Sequence, residues 1–74
     1  MSDILILKAN ILGGMNEYIR EIGDEDVLDD WNAYGVPDGC TEEMLMDFAG
    51  DERIFMNIVD VFNSILVDIN GVNY

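Results

Sequence analysis

The most concentrated chemistry in the chain is a run of carboxylates between residues 24 and 30. Five of these seven positions are acidic: Asp24, Glu25, Asp26, Asp29 and Asp30. The run opens like a calcium-binding loop, but its fifth position is Leu28 rather than an oxygen ligand, and its sixth is Asp29, where that loop needs glycine. We therefore interpret these acids as a helix cap and a helix face, with weak, screening-type binding of divalent ions as the alternative.

Side chains that commonly catalyse reactions are scarce. The sequence has no histidine, so the usual general base and the usual metal ligand are both missing. Its one cysteine, Cys40, is interpreted as a small buried residue at a helix entry rather than as a nucleophile. Spacing alone permits a paired-carboxylate hydrolase, but so short a chain offers little room for a substrate cleft. We therefore expect a binding protein and not an enzyme, without a catalytic residue, metal or cofactor.

The charge of the chain is large and unevenly distributed. The 74 residues are half apolar and carry a net charge of −13, which predicts one small folded domain over 1–74 rather than a disordered chain. Thirteen of the sixteen acids lie between residues 17 and 52, where Arg20 is the one basic residue. Self-repulsion among these charges lowers stability, so their presence indicates a function that depends on charge. Asp60 and Asp68, in the sparsely charged last segment, are expected to contribute little to binding.

The apolar residues do not form a membrane segment. The longest apolar run is Ile4 to Leu7, whereas a membrane helix needs about 20 residues. The N-terminus lacks the basic region and the long apolar core of a signal peptide. These patterns predict a cytoplasmic protein that does not bind a membrane.

The apolar spacing predicts an all-α domain of four or five short helices. Ser2 is expected to cap a helix over 3–22, in which Gly13 and Gly14 mark either a weak point or the junction of two helices. Asp24 is expected to cap a second helix over 25–34, with Arg20 relieving the charge of Asp24 one turn away.

The second half of the chain has equally clear helix signals. Residues 36–39 predict a turn with Pro37 at its second position. Thr41 is expected to cap a third helix that stops at Gly50. Asp51 is expected to cap the last helix, about 52–69, which ends at Asn70-Gly71 with a packing contact from Val72.

The acids of the second helix predict a binding surface. Asp26, Asp29 and Asp30 share the face opposite Leu28 and Trp31, and carboxylates one turn apart are separated by about 5–6 Å, which is close to the phosphate spacing of a nucleic-acid strand. Such a surface suits a Lys/Arg groove that normally binds DNA or RNA. We call the candidate residues the acidic surface: Glu17, Glu21, Asp24, Glu25, Asp26, Asp29, Asp30, Tyr34, Asp38, Glu42 and Glu43.

One other interpretation of this surface stays open. The acids can be a solvated face that serves solubility alone. In that case the contact is expected at Tyr34, at the turn over 36–39, or at an apolar patch formed by Met46 and Met56.

In size, charge and lack of catalytic groups, the chain resembles small acidic phage-type inhibitors that mimic nucleic acid, such as anti-CRISPR and anti-restriction proteins. The resemblance rests on no residue motif. It implies a binding-only inhibitor or decoy in the host cytoplasm, whose partner is the basic surface of a nucleic-acid-binding protein and which does not itself bind nucleic acid.

The alternative function is a small self-associating adaptor or structural module. A homodimer is expected because the first helix is apolar almost all round and a domain this small has few helices to cover it. The apolar residues concerned are Ile4, Leu5, Ile6, Leu7, Ala9, Ile11 and Leu12.

Overall fold

This computed structural model describes residues 3–71 of the chain, which form four helices and the loops that connect them. The helices are α1 (Asp3–Ile22), α2 (Glu25–Tyr34), α3 (Glu42–Gly50) and α4 (Glu52–Asn70). The all-α prediction is confirmed, and α1 runs through Gly13 and Gly14 as one helix rather than two. The expected cap by Ser2 and the expected contact by Val72 lie outside the described residues.

Three of the helices begin where the sequence predicts, because a side-chain oxygen caps each N-terminus. The Oδ1 atom of Asp24 accepts hydrogen bonds from two backbone N–H groups at the start of α2. Thr41 and Asp51 likewise accept from backbone N–H groups at the starts of α3 and α4. At the far end of α4, Gly71 adopts a left-handed φ of 61° and its N–H donates to the carbonyl of Val67.

The loop between α2 and α3 differs from its prediction in two ways. Its turn is centred on Asp38 and Gly39 rather than on Pro37 and Asp38, and Gly39 takes a φ of 76°, which glycine adopts without strain. Val36, expected as the first residue of the turn, is fully buried. Through Val36 the loop is therefore part of the core.

The two long helices hold the domain together. Helices α1 and α4 contact each other, and each contacts both short helices, whereas α2 and α3 make no contact with one another within residues 3–71. The fully buried side chains are Leu12 and Ile19 of α1, Trp31 of α2 and Val36 of the loop. Burial of Trp31 attaches the acidic helix α2 to the core, since a buried aromatic side chain removes a large apolar area from water.

The end of α2 is fixed by close packing between Trp31 and Gly35. The N–H of Gly35 donates to the carbonyl of Trp31, and a β-carbon at residue 35 would overlap the six-membered ring of the indole. Glycine is needed here because a side chain at this position would fill space that the Trp31 ring occupies.

Arg20 connects three parts of the fold instead of relieving the charge of Asp24. Its Nε donates to Oδ1 of Asn16 at 3.0 Å, and its Nη2 donates to Oδ1 of Asn32 at 2.9 Å and to the carbonyl of Val36 at 3.4 Å. Its ion pair within the described residues is with Asp38, at 3.8 Å. The expected Arg20–Asp24 pair is therefore wrong, because the guanidinium is turned toward α2 and the loop.

Within residues 3–71, none of the helices combines the length and the apolarity that crossing a membrane requires.

Candidate partner-binding surface

Every member of the predicted acidic surface is exposed to solvent. Glu17 and Glu21 lie on the second half of α1, and Asp38 lies in the loop before α3. The other members belong to the N-cap or body of α2 and to the first turn of α3. All eleven are exposed, so exposure does not distinguish acids that stabilise a helix from acids that are available only for binding. The position of each acid within its helix makes that distinction.

Several of these acids have a local structural role. Asp24 caps α2 with its carboxylate, and Glu25 and Asp26 occupy the first turn of that helix. Glu42 and Glu43 occupy the first turn of α3. Negative charge near a helix N-terminus is stabilised by the helix dipole, by about 0.3–1 kcal/mol per group. These five acids are therefore explained in part by helix formation alone.

Other acids lie where they lower helix stability. Asp29 and Asp30 follow Asp26 by three and four residues, and like charges at these separations on a helix repel each other at a cost of roughly a few tenths of a kcal/mol per pair. Asp68 lies in the last turn of α4, where the helix dipole disfavours negative charge and where no basic residue compensates. These positions are the stronger candidates for a role in binding, since folding gains nothing from their charge.

The structure brings two of these unfavourable acids, Asp30 and Asp68, together in a groove between α2 and α4. The α2–α4 groove has a volume of about 320 Å³. Tyr34 is 70% exposed at its edge, and the apolar side chains of Val61 and Ile65 contribute to its lining. An exposed aromatic ring and three carboxylates from two helices thus line the same groove. The full set of lining residues is Asp30, Tyr34, Asp60, Val61, Ser64, Ile65 and Asp68.

Asp60 and Asp68 belong to this groove, although the sparse charge of the last segment predicts that they contribute little to binding. Asp60, Ser64 and Asp68 follow one another at intervals of four residues along α4, so the three side chains share one helix face. Asp30 and Tyr34 have the same four-residue spacing on α2. The four-residue spacing on each helix is therefore visible in the sequence. The packing of α2 against α4 is what brings the two helix faces together.

A second groove lies between α1 and α3, with a volume of about 580 Å³. Glu17 and Glu42 are the two acids among its lining residues, which also include Ile6, Ala9, Asn10, Gly13, Gly14, Asn16, Leu45 and Met46. The predicted acidic surface thus contributes to two grooves. The α1–α3 groove is the less acidic of them, and one of its two acids, Glu42, already has a role in the first turn of α3.

The predicted apolar patch of Met46 and Met56 is not formed as expected. Met46 packs against the core, whereas Met56 is exposed on α4. Met46 lies beyond the main stripe of α3, but the close approach of α1 and α3 brings it into contact with the core. Of the apolar candidates for partner contact, Tyr34 is the one that the structure leaves exposed beside clustered acids.

Two further kinds of reactive group are the thiol of Cys40 and the side chains that commonly bind metals. Cys40 is partly buried, and this burial raises the pKa of its thiol despite the opposing charge of Arg20. A raised pKa leaves the thiol protonated near neutral pH, where it is a weak nucleophile. Within residues 3–71, no three potential metal-ligating side chains of the His, Cys, Asp or Glu type come close enough to hold an ion together.

No protein-family model, curated protein or solved structure matches this chain.

Proposed function

We propose that this protein is a binding-only inhibitor or decoy whose acidic surface occupies the basic, nucleic-acid-binding surface of another protein. The observation that carries the proposal is the α2–α4 groove, which Asp30, Asp60 and Asp68 line together with the exposed side chain of Tyr34. Asp30 and Asp68 carry charges that lower the stability of their helices, and the exposed ring lies in the same groove.

This combination matches what a nucleic-acid-binding surface recognises. Such surfaces neutralise phosphates with Lys and Arg and stack bases on aromatic or guanidinium planes. Carboxylates on α2 and α4 would take the place of phosphates, and the Tyr34 ring would take the place of a base. Tyrosine is also one of the residues that most often dominate protein–protein binding energy, because it buries a large rigid area.

The net charge of −13 supports the same function through association kinetics. A large charge of one sign attracts an oppositely charged partner over long distances and raises the association rate. Salt screens this attraction, with a Debye length of about 10 Å at 0.1 M and about 3 Å at 1 M ionic strength. Binding is therefore expected to weaken steeply as salt is added.

The test begins with capture of partners from a bacterial lysate at low and high salt, followed by binding measurements with each purified partner. A groove variant, Asp30→Asn with Asp60→Asn and Asp68→Asn, removes three charges from the α2–α4 groove. A matched control, Asp47→Asn with Asp51→Asn and Glu52→Gln, removes three charges from exposed positions that lie outside the acidic surface and line neither groove, and asparagine at residue 51 keeps an oxygen that can cap α4. The groove variant is expected to lose much more affinity than the control.

Two outcomes would contradict the proposal. Equal losses in the two variants would mean that net charge alone attracts the partner and that the groove has no special role. A captured partner that DNA and RNA fail to displace would mean that the surface it uses is not a nucleic-acid site. Tyr34→Ala supplies a further check, since it should weaken binding without changing the charge or the salt dependence.

One observation also favours the alternative function of a self-associating module. Ile4, Leu7 and Ile11 remain exposed on α1, away from the α2–α4 groove. Self-association through α1 and partner binding through the groove are compatible, because they use different residues.

A further inference from the structure

Helix α1 carries an exposed apolar stripe with the spacing of a coiled coil. Ile4 is 65% exposed, Leu7 59% and Ile11 40%, although all three are large apolar side chains. Their separations of three and four residues place Ile4 and Ile11 at heptad position a and Leu7 at position d. Gly14 and Tyr18 continue the same a/d series. We call these five residues the α1 stripe.

The α1 stripe lies on the side of the helix that the core does not use. The buried residues of α1 are Ala9, Leu12 and Ile19, which fall outside the a and d positions of this heptad. Tyr18 touches the neighbouring helix α4 at its edge, with its ring centroid 6.0 Å from that of Phe62. The stripe is therefore an additional apolar surface beside the core rather than an exposed part of it.

The charges that flank the stripe are complementary to those of a second copy. Asp3 occupies position g and Lys8 occupies position e of the following heptad. In a parallel two-stranded coiled coil, the g residue of one helix pairs with the e residue five positions later in the other. Asp3 of each copy would then meet Lys8 of the other copy, so the two-fold symmetry forms the same ion pair twice.

We infer that two copies of this chain associate through α1 in a parallel, two-fold symmetric pair, with the α1 stripe as the interface. Isoleucine at a with leucine at d is the combination that favours parallel dimers. The inference is independent of the proposed function, because the stripe contains none of the residues of the acidic surface or of the α2–α4 groove.

The charge distribution favours a second copy of this chain, rather than a basic protein, as the partner of the α1 stripe. Each copy carries a charge of −13, so association through any acid-rich surface is opposed by repulsion. The stripe from Ile4 to Ile11 is flanked by Asp3 and Lys8 alone among charged side chains and is neutral overall, whereas Glu17 and Glu21 flank Tyr18 at its other end. A basic partner would gain no electrostatic attraction from the neutral part of the stripe, whereas an identical segment is complementary to it in charge.

The neighbouring structure keeps Lys8 at the edge of the stripe. Its Nζ lies 5.2 Å from the centroid of the Phe55 ring on α4, which is within cation–π range. The ammonium group is thus held on the α4 side of α1, where Asp3 of a second copy can approach it.

A pair of substitutions at equal exposure tests the location of the interface. Ile11 and Ile6 are both 40% exposed on α1, but Ile6 lies at position c and lines the α1–α3 groove. Sedimentation equilibrium of the full chain should show a monomer–dimer equilibrium. Ile11→Gln should raise the dimer dissociation constant by about tenfold or more, which corresponds to about 1.4 kcal/mol, whereas Ile6→Gln should change it by less than about threefold.

Charge reversal tests the parallel orientation. Asp3→Lys and Lys8→Asp should each weaken the homodimer, since each variant places like charges against each other. Mixed together, the two variants should form a heterodimer more tightly than either forms a homodimer, because the heterodimer replaces two like-charge contacts by two attractive pairs. Circular dichroism on each variant checks that the helices are retained.

The inference is overturned by a wild-type chain that stays monomeric at high micromolar concentration. It is also overturned if Ile6→Gln disrupts the dimer as much as Ile11→Gln, which would place the interface in the α1–α3 groove. A dimer whose charge variants fail to prefer the heterodimer would exclude the parallel pairing of Asp3 with Lys8.

Discussion

The indole nitrogen of Trp31 donates a hydrogen bond of 3.0 Å to the side-chain oxygen of Asn16, and this bond ties α2 to α1 inside the core. The same oxygen accepts a second hydrogen bond of 3.0 Å from Nε of Arg20. Trp31 is fully buried, so its N–H has no access to water and depends on this acceptor. The most acidic helix of the protein is therefore joined to α1 by hydrogen bonds to neutral amides, from Trp31 to Asn16 and from Arg20 to Asn32, and within residues 3–71 it forms no ion pair.

Replacing Asn16 tests the importance of that acceptor. Asn16→Ala should lower the free energy of unfolding by about 1–3 kcal/mol, because it leaves a buried indole N–H without a partner. Asn10→Ala is the matched control, since Asn10 is exposed on the same helix and the change in helix propensity is the same. Urea denaturation should show a lower free energy of unfolding for Asn16→Ala than for Asn10→Ala. A similar stability in both would show that water or another acceptor satisfies Trp31.

Two glycines should respond to alanine in opposite directions. Gly35→Ala should destabilise the protein by about 1–3 kcal/mol, because the new β-carbon would overlap the Trp31 ring. Gly13→Ala should stabilise it by about 0.5–1 kcal/mol, since this mid-helix position offers only an ordinary contact, with Leu45 at 3.7 Å. Thermal melts monitored by circular dichroism show whether each substitution raises or lowers the stability. A loss of stability in Gly13→Ala would mean that α1 and α3 pack too closely to accept the methyl group.

The sequence predicts the helices of this protein well because their ends are set by local chemistry. Asp24, Thr41 and Asp51 each cap the helix that follows them, and a cap needs only its own neighbours along the chain. The continuity of α1 through Gly13 and Gly14 could not be decided locally, because the cost of two glycines is offset by packing against the other helices.

The candidate site was predictable only in part because it depends on tertiary packing. The pairing of Arg20 with Asp24 follows from spacing on an isolated helix, but in the fold Arg20 turns toward Asn32 and the loop. The groove that joins Asp30 to Asp60 depends on α2 packing against α4, which no local pattern determines. Local charge spacing therefore identified the acids of α2 and missed their neighbours on α4.

Two substitutions of Asp24 distinguish the effect of helix capping on stability from the effect of charge repulsion. Asp24→Asn keeps an oxygen that can accept from the N–H groups of Asp26 and Val27, so it should change stability by less than about 0.5 kcal/mol. Asp24→Ala removes the acceptor and should cost about 1 kcal/mol. Urea denaturation of the three proteins gives the comparison. If Asp24→Ala were as stable as the wild type, relief of repulsion from Glu25 and Asp26 would outweigh the cap.

Stability should rise with ionic strength, because the acids repel one another and few ion pairs oppose them. Within residues 3–71 the structure has one ion pair, Arg20 with Asp38 at 3.8 Å, and the Asp38 side chain is largely exposed. Salt therefore weakens little attraction, whereas it screens repulsion among closely spaced acids. The measurement is the melting temperature at low salt and at several hundred millimolar sodium chloride.

The variant Asp29→Asn with Asp30→Asn serves as the control for this salt effect. It should melt at a higher temperature than the wild type at low salt, because the charges that repel Glu25 and Asp26 one turn away are gone. Its melting temperature should also rise less as salt is added, since less repulsion remains to be screened. A general salt effect on apolar burial would instead raise the melting temperatures of both proteins equally. A wild-type melting temperature that falls with salt would mean that the acids are individually stabilised in the fold and that repulsion among them is not a significant cost.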